Sequence, residues 1–90
     1  MRADKFLNKV CLIKTRNIAK KASDNGLIFV NGKKAKACKK VCENDIVKFS
    51  VYGFETEILI KQIPSGNVSK KNAAENYEII RREKIIPDDE

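Results

Sequence analysis

Apolar residues recur at helical spacing early in the chain and at alternating spacing through its middle. Phe6, Val10 and Ile13 fall four and three residues apart with Leu7 beside them, which predicts one amphipathic helix over residues 3–14. Asp4 sits in its first turn, where a carboxylate complements the positive end of the helix dipole, and Lys14 closes its last turn. Thr15 is the expected N-cap of a second helix over residues 16–24, with Ile18, Ala19 and Ala22 facing inward. Asn25-Gly26 stops that helix, because glycine takes the left-handed conformation without steric cost.

From Leu27 the pattern changes. Leu27-Ile28-Phe29-Val30 reads as a strand, and Asn31-Gly32 as a two-residue hairpin turn whose central residues both need positive φ. A short return strand runs from Lys33 to Ala37, and Val41 to Asp45 forms a turn. Val47, Phe49 and Val51 then alternate with polar positions, and Tyr52-Gly53 reverses the chain into residues 54–61, where Thr56, Ile58 and Ile60 share a face. The prediction is an α+β fold, two N-terminal helices packed on a small, mostly antiparallel sheet. Pro64 to Lys71 has the composition of a linker. Asn72 and Glu75 make a capping-box pattern, and Ala73, Tyr77 and Ile80 a narrow apolar stripe, so a third helix is expected over residues 73–84. The expected organisation is a folded domain over 1–63, a linker over 64–72, and a helix with the acidic end Pro87-Asp88-Asp89-Glu90 over 73–90.

Charge gives these elements a direction. The first forty residues hold twelve Lys or Arg against two acids, Asp4 and Asp24, whereas residues 41–90 hold seven against ten. The overall +7 is therefore a +10 block followed by a −3 block. Charge runs are usually the solvated faces of amphipathic helices. Here the interleaved acids of a merely solubilising face are nearly absent until residue 43, and the cations lie beside helix starts, whose N–H groups attract phosphate. A polyanion-binding face is the better reading, and nucleic acid is the commonest polyanion. Its candidate residues are Arg2, Lys5, Lys9, Arg16, Lys20, Lys33 and Lys34. The two arginines differ in kind, since a guanidinium fork pairs bidentately with phosphate or lies on a base, while an ammonium is a mobile point charge.

Other chemistries find little support. The chain contains no His, which removes the usual general base and a common metal ligand. Its three cysteines are an odd number, and Cys38 and Cys42 stand four apart rather than at zinc-knuckle spacing, so free thiols in a reducing cytoplasm are expected, with no metal and no cofactor. No stretch approaches the roughly 18 apolar residues of a membrane span. Met1 to Lys5 carries an early acid and leads into no long apolar run, so no signal peptide and no membrane partner are expected. A helix-turn-helix DNA-binding protein is the alternative from another class, though Arg16 and Asn17 are the main base-reading groups on the outer face of its second helix.

Several separated motifs together resemble the S-four RNA-binding domain. They are Arg2-Ala3-Asp4-Lys5-Phe6-Leu7, Thr15-Arg16 with Ala19, Gly26-x-Ile28-x-Val30-Asn31-Gly32-Lys33, and Val41 with Asp45. The resemblance covers residues 1–52 and implies the alpha-L RNA-binding motif, which binds structured RNA through both helices and the hairpin turn. Lys33-Lys34-Ala35-Lys36-Ala37 and the stretch from Ala73 to Lys84 are similar to the RqcP-like family, relatives of the fifteen-kilodalton heat-shock protein. That likeness implies a non-catalytic, monomeric adaptor of ribosome quality control. Such an adaptor binds large-subunit ribosomal RNA and peptidyl-tRNA and supports C-terminal alanine tailing with an RqcH-like partner. It also implies Arg2 and Arg16 as principal RNA contacts, supported by Lys5 and Lys20. A general S-four factor in ribosome assembly or recycling is the alternative within the class. Two positions depart from the family pattern: Cys11 stands where relatives often carry Arg, and Glu43-Asn44-Asp45 replaces a Pro-Gly-Asp turn.

Overall fold

A computed structural model describes residues 1–64, 66, 68 and 70–85. Its first helix, α1, spans Ala3–Lys9 and stops sooner than the expected residues 3–14. Cys11 takes the left-handed conformation at φ 64°, and the N–H groups of Cys11 and Leu12 return to the Asn8 and Leu7 carbonyls at 3.1 and 2.9 Å. This is a Schellman stop with cysteine in the position glycine usually fills. Val10 and Ile13 remain buried because the turn, rather than a continued helix, folds them inward. The second helix, α2, spans Arg16–Asp24 as expected, burying Ala19 and Ala22, and ends in the same motif with Gly26 at φ 71°. Thr15 occupies the N-cap position, but its hydroxyl makes no capping hydrogen bond.

Five antiparallel strands follow: β1 (Ile28–Val30), β2 (Lys33–Lys34), β3 (Ile46–Val51), β4 (Phe54–Ile60) and β5 (Tyr77–Lys84), in the order β2-β1-β3-β4-β5. Both two-residue turns have positive φ at both central residues, 52° and 84° at Asn31-Gly32 and 55° and 78° at Tyr52-Gly53. That geometry matches the right-handed twist of the flanking strands. The helices cover one face of the sheet, where Phe6, Leu7, Ile28, Val47, Phe49, Ile58 and Ile60 are fully buried. The other face is solvated and carries Lys48, Glu57 and Arg81 side by side across three strands.

Residues 77–84 form a strand where a third helix over 73–84 was expected. The capping-box sequence produces only α3 (Lys70–Ala73) and one 3₁₀ turn (Ala74–Asn76). Buried Asn76 ends the turn: its side-chain amide donates to the Ala73 carbonyl at 3.2 Å, while its own carbonyl accepts the Lys61 N–H at 2.9 Å. From there β4 presents an open edge, and pairing with it satisfies backbone groups along the whole of β5. Tyr77 and Ile79, two apart, face the core side opposite Ile60 and Ile58. Ile80 is the extra residue of a bulge, after which Arg82 reaches that side and lies 4.3 Å from the Phe54 ring centre. The helical stripe Ala73, Tyr77 and Ile80 thus loses to a period of two. The return strand after Asn31-Gly32 is also shorter than expected, β2 alone, because residues 37–41 leave to pair with the N-terminus. Of the expected linker, residues 65, 67 and 69 lie outside the described residues, as does the acidic end 87–90.

One side-chain network fixes the turns beneath this sheet. Asn31 accepts the Ile46 N–H on Oδ1 at 2.9 Å and donates from Nδ2 to Asp45 Oδ1 at 3.1 Å. The Cys42 N–H donates to Asp45 Oδ2 at 2.9 Å. That backbone bond, only partly opposed by burial and reinforced by Asn31, holds the Asp45 carboxyl below its ordinary value of 3.8. The ionised form therefore stabilises the fold in full above pH 3.8, and the contribution is lost as pH falls through the lower folded-state value. Asp45→Asn is expected to cost roughly 0.5–1 kcal/mol at neutral pH. Thermal melts across the acid range check the sign: the gap between variant and wild type closes with falling pH, and a constant gap contradicts the assignment.

Candidate nucleic-acid interface

Asp4 is 4% exposed, near the start of α1, and an ionised side chain so placed needs partners. Its Oδ1 accepts the Lys5 N–H at 2.7 Å. Its Oδ2 accepts Arg2 Nη2 at 3.0 Å and Arg16 Nη2 at 3.5 Å. One buried carboxylate therefore joins the residue before α1 to the first residue of α2. Both arginine side chains remain about half exposed, 48% for Arg2 and 47% for Arg16, and each guanidinium has donors beyond the one arm held by Asp4.

Backbone pairing sets the second wall. The Ala3 and Asp4 N–H groups donate to the carbonyls of Lys39 and Ala37 at 2.8 and 3.0 Å, and the Val41 N–H donates to the Met1 carbonyl at 2.8 Å. Arg2 and Lys40 pair as an antiparallel bridge. The segment after β2 is thus stapled beside the arginines. The same bonds correct one expectation: the first N–H groups of α1 are occupied by the protein itself and are not offered to phosphate.

Two adjoining grooves result. One, of about 450 Å³, is lined by Arg2, Asp4, Arg16, Asn17, Lys20 and Lys36 among others. The next, of about 560 Å³, carries Lys33, Lys34, Lys36 and Lys39 around Val30 and Ala35. Lys36 and Cys38 stand on the shared wall. Of the seven candidates, Arg2, Arg16, Lys20, Lys33 and Lys34 line these grooves. Lys5 is exposed but lines neither, and the Lys9 amine donates to the Gly66 carbonyl at 2.8 Å near the other end of α1. The seven left out Lys36 and Lys39. Their signal was the density of lysine after the hairpin, but only the stapling of residues 37–41 to the N-terminus places them against Arg2. Among the described residues no three His, Cys, Asp or Glu side chains gather as metal ligands. Cys11, Cys38 and Cys42 are free and exposed.

The groove is a cationic surface in which two arginines share one buried carboxylate and lysines surround them, a chemistry suited to phosphates and base edges. The model of the S4 domain matches residues 1–47, which contain both grooves. A Bacillus subtilis (strain 168) protein named RQC P-site tRNA stabilizing factor is 34% identical over 85 residues, spanning 94% of this chain and 98% of its own. A protein of that name from Halalkalibacterium halodurans is 39% identical over 88 residues, spanning 94% and 96%. The chain belongs to this S4-domain family of RQC P-site tRNA stabilizing factors. Its fold is shared by Vibrio cholerae Heat Shock Protein 15, solved as a trimer, with a TM-score of 0.78 and 26% identity over 88% of this chain and 80% of that one.

In this S4-domain chain the Asp4 carboxylate has three donors on two elements. Asp4→Asn keeps the shape and removes the charge that holds both guanidinium groups. The exposure of the arginines screens each pair, so the expected loss is about 1–2 kcal/mol. Chemical denaturation checks it, and a variant as stable as wild type contradicts the tie.

Proposed function

We propose that this chain is a non-catalytic RNA-binding adaptor of ribosome quality control. It holds P-site tRNA on large ribosomal subunits that retain a nascent chain, and so supports C-terminal alanine tailing with an RqcH-like partner. The observation that carries the reading is the Asp4-held pair of arginines opening onto a lysine-lined groove. Relatives named for P-site tRNA stabilisation, similar over nearly their whole length, support the choice of ligand. In this reading Arg2 and Arg16 fix orientation on folded RNA, while Lys20, Lys33 and Lys34 supply salt-sensitive attraction and Lys5 and Lys9 extend it along α1. Structured RNA is favoured over plain duplex, whose A-form major groove side chains do not read. The protein acts in the cytoplasm as a monomer on the ribosome. No helix among the described residues is long and apolar enough to cross a membrane.

Binding to large subunits with and without peptidyl-tRNA tests the assignment. The tRNA-bearing particle retains the protein more strongly, and equal binding to empty or precursor subunits contradicts the quality-control role in favour of a general S-four assembly factor. Neutralising about five phosphates gives a slope of log affinity on log salt of roughly −3.5 to −4.5. Arg16→Ala is expected to weaken binding by about 1–3 kcal/mol with the fold intact, since the side chain is half exposed. Salt-independent binding, or an Arg16→Ala variant that binds as wild type, removes the groove from the account.

A further inference from the structure

A second surface lies on the other side of α2 and shares no residue with the arginine groove. Arg16, Asn17 and Lys20 line that groove, whereas Ile18, Lys21 and Ala22 face this second surface. Three shallow grooves of about 440, 260 and 200 Å³ meet there, the first and third mainly apolar and the second mixed, and Tyr52 lines all three. Tyr52 and Ile79 are 53% and 48% exposed, and Leu27 37%. Apolar side chains this exposed and this close together on so small a domain mark a contact surface. Tyr52 is also a bulky residue at φ 55°, where Asn or Gly is cheaper. Its hydroxyl accepts the Lys14 N–H at 2.9 Å, which ties the hairpin tip to the turn between the helices and holds the ring in place.

Charge specifies the occupant. Among the described residues each groove has one cation on its wall: Lys14 in the first, Arg82 in the second and Lys21 in the third. No carboxylate among the described residues lines any of them. We propose that this face docks an acidic segment of a partner protein, with an aliphatic or aromatic side chain seated against Tyr52 and flanking carboxylates meeting Lys14, Lys21 and Arg82. The floor is largely aliphatic, Leu12, Ile18, Val51 and Ile79, which fits a protein side chain better than a nucleobase. Carboxylates alone are drawn to the arginine groove as well; the apolar side chain seated against Tyr52 is what directs the segment here, so one domain holds RNA and protein on separate faces. This inference stands apart from the RNA reading, since it uses none of the groove residues.

The test places the photo-crosslinking residue p-benzoylphenylalanine at Ile79 of the full chain in growing cells. The expected adduct resists RNase, is destroyed by protease, and maps by mass spectrometry to a peptide with at least two acids beside an apolar residue. Tyr52→Asn, which suits the left-handed turn and removes the ring, lowers its yield at least fivefold while affinity for an rRNA fragment stays within twofold. Lys21→Gln, on the exposed side of α2, replaces it should Tyr52→Asn fail to fold. An RNA adduct, an adduct to a basic segment, no adduct, or a yield indifferent to the substitution overturns the proposal.

Discussion

The Asp4 carboxylate makes an orienting element out of the positive charge at the front of this protein. Long cationic side chains on short helices are mobile and individually weak, and a net charge of +7 alone attracts any polyanion. Burying one acid between Arg2 and Arg16 changes their geometry more than their charge. Each guanidinium gives one arm to Asp4 Oδ2, on a side chain that stays about half exposed. The ordering of two forks takes place during folding, so less conformational entropy remains to be lost when a ligand arrives. The carboxylate is held in turn by the Lys5 N–H and by its burial in α1, which the core residues Phe6 and Leu7 anchor to the sheet.

The same end of the molecule shows why helix-start electrostatics is a secondary effect here. The segment 37–41 occupies the first N–H groups of α1 and, in doing so, brings Lys36 and Lys39 to the groove wall. The site is therefore built by side chains on a backbone already satisfied, with lysines supplying range and arginines direction. Glu55, Glu57 and Glu83 lie on the solvated sheet face, where Glu57 has Lys48 and Arg81 as cross-strand neighbours.

Much of this was legible in the chain because local rules and tertiary packing agree over its first sixty residues. Asn25-Gly26, Asn31-Gly32 and Tyr52-Gly53 mark turns that form at those places, and the alternation of Val47, Phe49, Thr56, Ile58 and Ile60 gives the buried sheet face. Two kinds of information were hidden. Residues 73–84 carry helical and strand periods at once, and the choice is made by the open edge of β4, a non-local partner that no window of sequence displays. Asp4 reads locally as a dipole-compatible first-turn acid. Its tie to Arg16, twelve residues on, exists only once α1 packs against α2. Cys11 shows the same limit at smaller scale, since cysteine gives no hint of a left-handed helix stop.

Titrating wild type and Asp4→Asn with one structured large-subunit rRNA fragment over a range of salt tests the orienting role most directly. The substitution raises net charge by one unit, so a purely electrostatic face binds more tightly. If the forks must be held, affinity for the folded fragment falls about tenfold, or 1.4 kcal/mol, with the salt slope unchanged. Equal or tighter binding by Asp4→Asn contradicts the account.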